Sequence, residues 1–262
     1  MGEMGDMGVT NNVFSFAASL VRLGRGAFSR VTEGRRAEPA EVLELYDFEG
    51  CPYCRKVREV LTELDLDYRA HPVAHGSPRR EELVRLGGKM QAPYLVDKNT
   101  NTRLYESDDI IAYLNERYGG ARRAGWWLPV PSLLDNVNSA IASALRLGRG
   151  SRCRTESPRE GLKPLMLYNM EGSPFCRKVR ETLSELDVPH LVRNVPKGSP
   201  KRAELEQRGG KVQVPYLVDP NTGREMYESD DIVAYLEAEY GARSQDGRGR
   251  RHARSDVAAA AV

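Results

Sequence analysis

The sequence predicts an α/β protein made of two tandem copies of one small domain, each a mixed four-stranded sheet with helices on both faces. Three observations predict it. First, the 262-residue chain repeats itself: Leu43-Glu44-Leu45-Tyr46 and Leu165-Met166-Leu167-Tyr168 open two segments that align without a gap as far as Gly119 and Gly241, with well over half the positions identical. Second, each segment switches its hydrophobic period in the order strand, helix, strand, helix, strand, strand, helix within roughly 75 residues, an ordinary size for one domain. Third, 40% hydrophobic and 29% charged side chains supply enough apolar surface for one sizeable core or two small ones.

The elements follow from local chemistry. Leu43 to Phe48 alternates as a strand and ends at Gly50. From Cys54 to Leu64, residues Val57, Val60, Leu61 and Leu64 recur at the spacing of one buried helix face. Tyr68 to Val73 is a second short strand. Ser77-Pro78 starts a helix that turns Leu83 and Leu86 inward and stops at Gly87-Gly88. Ala92-Pro93-Tyr94-Leu95-Val96 is a strand entered through proline, Asn99-Thr100-Asn101 turns into Arg103-Leu104-Tyr105, and Ser107 caps a last helix carrying Ile110, Ile111, Tyr113 and Leu114 and closed by Gly119. Right-handed crossover makes the first two strands parallel, and the short turn at Asn99 makes the last two antiparallel.

The chain accordingly divides into a leader (1–42), a first domain (43–120), a linker with a second leader (121–164), a second domain (165–242) and a basic tail (243–262). The leaders also repeat, since Arg22-Leu23-Gly24-Arg25-Gly26 returns as Arg146-Leu147-Gly148-Arg149-Gly150. An internal copy cannot be a cleaved address, so each leader is expected to be a short amphipathic helix packed on the domain after it. Weak peripheral membrane contact through these helices and Trp126-Trp127-Leu128 is the lesser alternative. No apolar run is long enough to cross roughly 30 Å of hydrocarbon, so no transmembrane span is expected.

The net charge of +2 resides in the tail. Five arginines from Arg243 to Arg254 stand against Asp246 and Asp256, giving the tail +3 and leaving the rest of the chain at −1. With few large apolar groups the tail is expected to be disordered, and no nucleic-acid partner is expected. Four cysteines are too few to staple a secreted scaffold, and no signal peptide opens the sequence, which points to a reducing, cytoplasmic compartment.

Cys51-Pro52-Tyr53-Cys54 falls where the first strand gives way to the first helix. A cysteine at a helix N-terminus meets unpaired backbone N–H groups and the positive end of the dipole, which favour thiolate, so Cys51 is the expected nucleophile. Pro52 suits the first helical position, and Cys54, one turn further in, can resolve a mixed disulfide. Arg55 and Lys56 add positive charge nearby or are solvated. The competing reading of Cys-x-x-Cys is half a zinc site, but Cys153, Cys176, His71, His75, His190 and His252 form no second ligand pair, so no metal is expected.

Cys-Pro-Tyr-Cys after a strand, the Ala92-Pro93 bend, and Glu106-Ser107-Asp108-Asp109 opening the last helix together resemble the glutaredoxins and the N-terminal, glutathione-binding domain of glutathione transferases. The resemblance covers both copies. It implies a thioredoxin-like fold with Pro93 and Pro215 as cis-prolines. It also implies glutathione as cosubstrate, bound by Tyr53, the backbone of Ala92, Pro93, Glu106, Ser107 and Asp108. A carboxylate suits the helix N-terminus and an acidic side chain suits the γ-glutamyl ammonium group, although plain helix capping would use the same Ser107 and Asp108.

Two departures stand out. Glu49-Gly50 occupies the place where glutaredoxins commonly carry a lysine for a glutathione carboxylate, so repulsion is expected there unless Lys89 or Arg55 supplies the cation. The second copy reads Ser173-Pro174-Phe175-Cys176, and a serine cannot exchange with disulfides. Ser173, Cys176, Val214, Pro215, Glu228, Ser229 and Asp230 form a possible second site, either degenerate and kept for packing or able to donate a hydrogen bond from Ser173 to a glutathione thiolate.

The expected function is a glutaredoxin-like thiol–disulfide oxidoreductase that acts on protein or glutathione mixed disulfides through Cys51 and Cys54, with the two domains packing as a pseudo-dimer. The alternatives are a non-catalytic glutathione-binding or scaffold module and a transferase-like activity using Ser173. The roughly 45 residues between the copies leave no room for the long helical domain of an ordinary transferase.

Overall fold

The computed structural model describes residues 25–31, 38–119, 148–155 and 161–241. The tail, residues 1–24 where most of the first leader helix was expected, and Trp126-Trp127-Leu128 lie outside them. The first copy runs β1 (Leu43–Asp47), α1 (Pro52–Glu63), β2 (Tyr68–Pro72), α2 (Arg79–Gly87), β3 (Tyr94–Asp97), β4 (Thr102–Leu104) and α3 (Ser107–Tyr118). The second runs β5 (Leu165–Asn169), α4 (Pro174–Glu185), β6 (His190–Asn194), α5 (Lys201–Gly209), β7 (Tyr216–Asp219), β8 (Arg224–Met226) and α6 (Ser229–Tyr240). No described helix is long and apolar enough to cross a membrane.

Within each copy β1 pairs in parallel with β2 and antiparallel with β3, and β3 pairs antiparallel with β4; the second copy repeats this in β5 to β8. The two four-stranded units do not form separate sheets. Their inner edges meet, with Tyr68, Arg69 and Ala70 of β2 antiparallel to Val192, Leu191 and His190 of β6, giving one eight-stranded sheet in the order β4-β3-β1-β2-β6-β5-β7-β8. A strand edge carries a row of unpaired amide groups, and here each copy satisfies the other's.

On one face of the sheet α1 and α3 bury Val57, Val60, Leu61, Ile110 and Leu114 against Leu43, Leu45 and Leu95, and Val192 of the second copy joins this cluster. Tyr46, Val73, Leu83 and Tyr94 form a smaller cluster under α2. Asp97 closes β3 by accepting the hydroxyls of Tyr113 (2.6 Å) and Tyr118 (2.5 Å), which moors α3 to the sheet. Asp219 does the same for Tyr235 (2.6 Å) and Tyr240 (2.5 Å).

One local expectation changes. Ser107 is the first residue of α3 and not its cap; Glu106 occupies the cap position at φ 60°, without a side-chain hydrogen bond to the helix. The second copy repeats this at Glu228, φ 65°.

Residues 25–31 and 148–155 are turns and isolated bridges, and most of the residues on which the second leader helix is expected, like most of those of the first, lie outside the described ones. The two described stretches cross between the copies. In leader one, Lys197 N–H of the second copy donates to Ala27 O and Ser29 N–H donates to Lys197 O (both 2.9 Å), before Arg30 N–H reaches Glu63 O (2.7 Å) in the first copy. In leader two, His75 N–H of the first copy donates to Ser151 O and Cys153 N–H donates to His75 O (both 2.8 Å), before Arg154 N–H reaches Glu185 O (2.7 Å) in the second. Each leader therefore packs on the loops of one copy and on the helix of the other.

Candidate functional site

β1 ends at Asp47, the chain turns through Phe48, Glu49 and Gly50, and Cys51 caps α1 with Pro52 at its first turn. Cys51 Sγ accepts the N–H of Cys54 at 3.2 Å. The adjacent Cys54 side chain, with the N–H groups of Cys54 and Tyr53 and the charge of Arg58, lowers the Cys51 thiol against the opposing effect of burial. Burial, followed by neighbouring Cys51, pushes the Cys54 thiol well up. One sulfur is prepared to carry charge and the other to keep its proton. Cys51 is only 5% exposed, whereas Tyr53 beside it is 51% exposed.

The remaining candidate residues of this copy gather around two contacts. The Ala92–Pro93 peptide is cis, and Gln91 Nε2, just before it, donates to Glu106 Oε1 at 2.5 Å. Lys56, buried on α1, reaches Asp108 Oδ1 at 2.5 Å on the exposed first turn of α3. Ser107 is buried between these contacts. Neither Arg55 nor Lys56 is solvated: they are 1% and 2% exposed. Lys89 lies over the Tyr105 ring and 4.0 Å from Glu106.

The second copy reproduces the arrangement with a different nucleophile position. Ser173 Oγ accepts the N–H of Cys176 at 3.3 Å, the Val214–Pro215 peptide is cis, Gln213 donates to Glu228 (2.7 Å), and Lys178 pairs with Asp230. Ser229 is buried, as Ser107 is. Burial raises the Cys176 thiol. Cys153 is half-buried in leader two, with its thiol donating to Thr155 O at 3.2 Å. No group of three metal-ligating side chains occurs among the described residues.

Glu49 does not repel a ligand from the first site, because it turns into the junction between the copies. There, Arg58 Nη2 meets Glu49 Oε2 (2.9 Å), Arg180 Nε meets the same oxygen (3.0 Å), Arg180 Nη2 meets Glu171 Oε2 (3.0 Å), and Arg58 Nε meets that oxygen (3.3 Å). These four side chains close a ring of alternating charge, each of them at most 3% exposed. Asp47 adds a contact to Arg58 (2.7 Å), and Asn169 occupies its place beside Arg180 (2.6 Å). Burial alone would raise the Glu49 carboxyl, but Arg180 and Arg58 hold it at about 2.

Reading one helix face as the core and the rest as solvated missed this ring. A signal for it was present: Arg55, Arg58, Glu59 and Thr62 form a second stripe at helical spacing, and Arg55, Arg58 and Glu59 recur unchanged in the other copy.

Residues 45–122 and 167–244 each match the family model described as glutathione S-transferase, N-terminal domain. The glutathione S-transferase-like protein tpcF of Aspergillus fumigatus is 34% identical over 79 residues, 30% of this chain and 35% of that protein. Protein URE2 of Meyerozyma guilliermondii is 32% identical over 93 residues, 34% of this chain and 31% of that protein. Glutaredoxin 3 of Escherichia coli is 26% identical over 53 residues, 20% of this chain and 64% of that protein. The match thus spans about a third of the length of the first two relatives.

Proposed function

Because the chain belongs to the glutathione S-transferase N-terminal domain family and carries that domain twice, we propose that it is a glutathione-dependent thiol–disulfide oxidoreductase working through Cys51 and Cys54. The observation that carries this reading is the Cys51 sulfur at the N-terminus of α1, accepting the Cys54 N–H at 3.2 Å. The Cys51 thiolate attacks the glutathionyl sulfur of a mixed disulfide. The old S–S bond breaks, the departing thiolate takes a proton from water, and Cys51 is left joined to glutathione. A glutathione thiolate then attacks that same glutathionyl sulfur, releasing glutathione disulfide and restoring Cys51. Alternatively Cys54, after losing its proton, attacks Cys51 Sγ, expels glutathione and leaves a Cys51–Cys54 disulfide. One glutathione thiolate then opens that disulfide to a Cys51–glutathione mixed disulfide with Cys54 reprotonated, and a second attacks the glutathionyl sulfur to release glutathione disulfide and free Cys51, so two electrons come from glutathione in either full cycle.

In this reading the backbone of Ala92 pairs with the cysteinyl part of glutathione, beside Tyr53 and Pro93. Glu106, Ser107, Asp108 and the free amides of α3 take its γ-glutamyl end, where the open helix N-terminus suits the carboxylate. The second copy, with Ser173, contributes no exchange step. The joined halves act as a pseudo-dimer within one chain, and the compartment is a reducing, cytoplasmic one. The test is glutathione-dependent reduction of a small mixed disulfide by wild type and Cys51→Ser: activity lost in the variant supports the assignment, and equal rates sink it. The 5% exposure of Cys51 favours a second reading, a glutathione-binding scaffold without turnover. A Cys51 thiol titrating near the free value of about 8.5 would select it.

A further inference from the structure

We propose that the second copy completes the dithiol site of the first, with Arg180 and Ser184 of α4 acting as positioning residues for Cys51. The turn that presents Cys51 is held from across the junction. Glu49 N–H donates to Ser184 Oγ (3.4 Å), Ser184 Oγ donates to Gly150 O (3.0 Å), and Gly50 N–H donates to the same carbonyl (3.4 Å). The Glu49 side chain receives Arg180 Nε and Nη2 at 3.0 and 3.2 Å. Both amides immediately before Cys51, and the only carboxylate of the turn, therefore end on groups contributed by α4 and leader two.

The first copy adds Cys51 N–H to Phe48 O (3.2 Å) and the long bonds from Arg58 to Phe48 O and Glu49 O (3.3 and 3.4 Å). Arg58 is itself aimed by Glu171 of the second copy.

The fit is close enough to constrain side chains. A Cβ on Gly50 would lie 1.9 Å from Ser151 Oγ, and one on Gly150, at φ 71°, would lie 2.7 Å from Glu49 Cβ. The Cys51 sulfur keeps its two N–H donors only while this turn delivers it over the first turn of α1. If the turn relaxes, the sulfur leaves the helix N-terminus and its proton affinity returns toward that of a free thiol.

The proposal rests on Cys51 being the reactive thiol, so the experiment reads that sulfur directly and not turnover. Iodoacetamide alkylation of Cys51 in the full-length chain is followed by peptide mass spectrometry as a function of pH. Ser184→Ala is expected to slow Cys51 alkylation at pH 6 about threefold and Arg180→Met about tenfold, tenfold being one unit of thiol midpoint. Arg180→Lys is expected to recover part of the loss. A merely structural role for Arg180 or Ser184 would lower the unfolding midpoint and leave the pH profile of Cys51 in place. If Ser184→Ala, a one-atom change made in case Arg180→Met does not fold, has the wild-type profile, the proposal is overturned. A wild-type midpoint already at the free-thiol value would overturn this proposal too, whereas a lowered midpoint that Ser184→Ala raises would uphold it even where no mixed disulfide is reduced, so that failure of the oxidoreductase reading is read separately.

Discussion

The two copies share a scaffold down to single hydrogen bonds and differ at the capping atom on which the proposed chemistry rests. Cys51 Sγ and Ser173 Oγ both cap a helix by accepting the N–H three residues on, at 3.2 and 3.3 Å. Glu106 and Glu228 both sit at positive φ, a costly conformation for a residue with a side chain. The cis bonds and the Lys–Asp pairs also recur. The second copy has kept the geometry of a thiol site without the thiol, which separates what the fold needs at this position, a small cap that accepts a hydrogen bond, from what exchange needs, an ionisable sulfur. Their surroundings differ too, at Tyr53 against Phe175 and Ala92 against Val214 beside the site and, toward the junction, at Asp47 against Asn169, Tyr68 against His190 and Thr62 against Ser184.

The largest effect is expected from exchanging the capping atoms. Cys51→Ser should remove mixed-disulfide reduction, and Ser173→Cys should raise the number of thiols alkylated rapidly at pH 6 from one to two per chain. If the cysteine at position 173 reacts as slowly as a free thiol, the copies are less alike electrostatically than their hydrogen bonds suggest.

Next come the ring arginines. Arg58→Met and Arg180→Met each take one of two guanidinium partners from the buried Glu49 and Glu171, at about 3–5 kcal/mol by urea unfolding. The Arg58 variant should cost more, because it also strands Asp47 where Arg180 has neutral Asn169.

An acid-dependent effect separates β2 from β6. Burial lowers His190 to about 4, so its neutral form stabilises the fold above the unfolded value near 6.5, and that stabilisation falls away as pH drops toward 4. The ring contribution from Glu49, held at about 2, should survive this window and be lost only as pH falls from about 4.5 through 2. His190→Tyr, which installs the residue of the first copy, should flatten the stability profile between pH 6.5 and 4. An unchanged slope would place the titration elsewhere.

The smallest effect is expected where the copies agree. Tyr118→Phe and Tyr240→Phe each remove one hydroxyl from a buried carboxylate, at about 2 kcal/mol and nearly equally in thermal unfolding.

The order of elements was legible because each carries its own periodicity and because the repeat checks every assignment twice. Cys51 at the strand-to-helix junction was legible for the same local reason. The cap of α3 was misassigned to Ser107, since a glutamate at positive φ leaves no mark in composition. The junction was not legible either: Glu49, Arg58, Glu171 and Arg180 have the composition of a solvated surface, and only a second copy of the same pattern, packed so that each arginine meets the other copy's glutamate, brings them inside. That partner lies 122 positions along the chain, beyond the reach of any local rule. Tyr68-Arg69-Ala70 and His190-Leu191-Val192 gave no sign of pairing, because strand edges are recognised through backbone amides, which every sequence possesses.

The antiparallel seam between β2 and β6 also decides which edges remain available to other molecules. With the five-residue inner strands paired to each other, the sheet ends on β4 and β8, three residues each. Short edge strands are poor templates for intermolecular β-pairing. Cutting the chain between its halves would uncover two longer edges together with the charged ring, so each half alone is expected to aggregate where the joined chain stays dispersed.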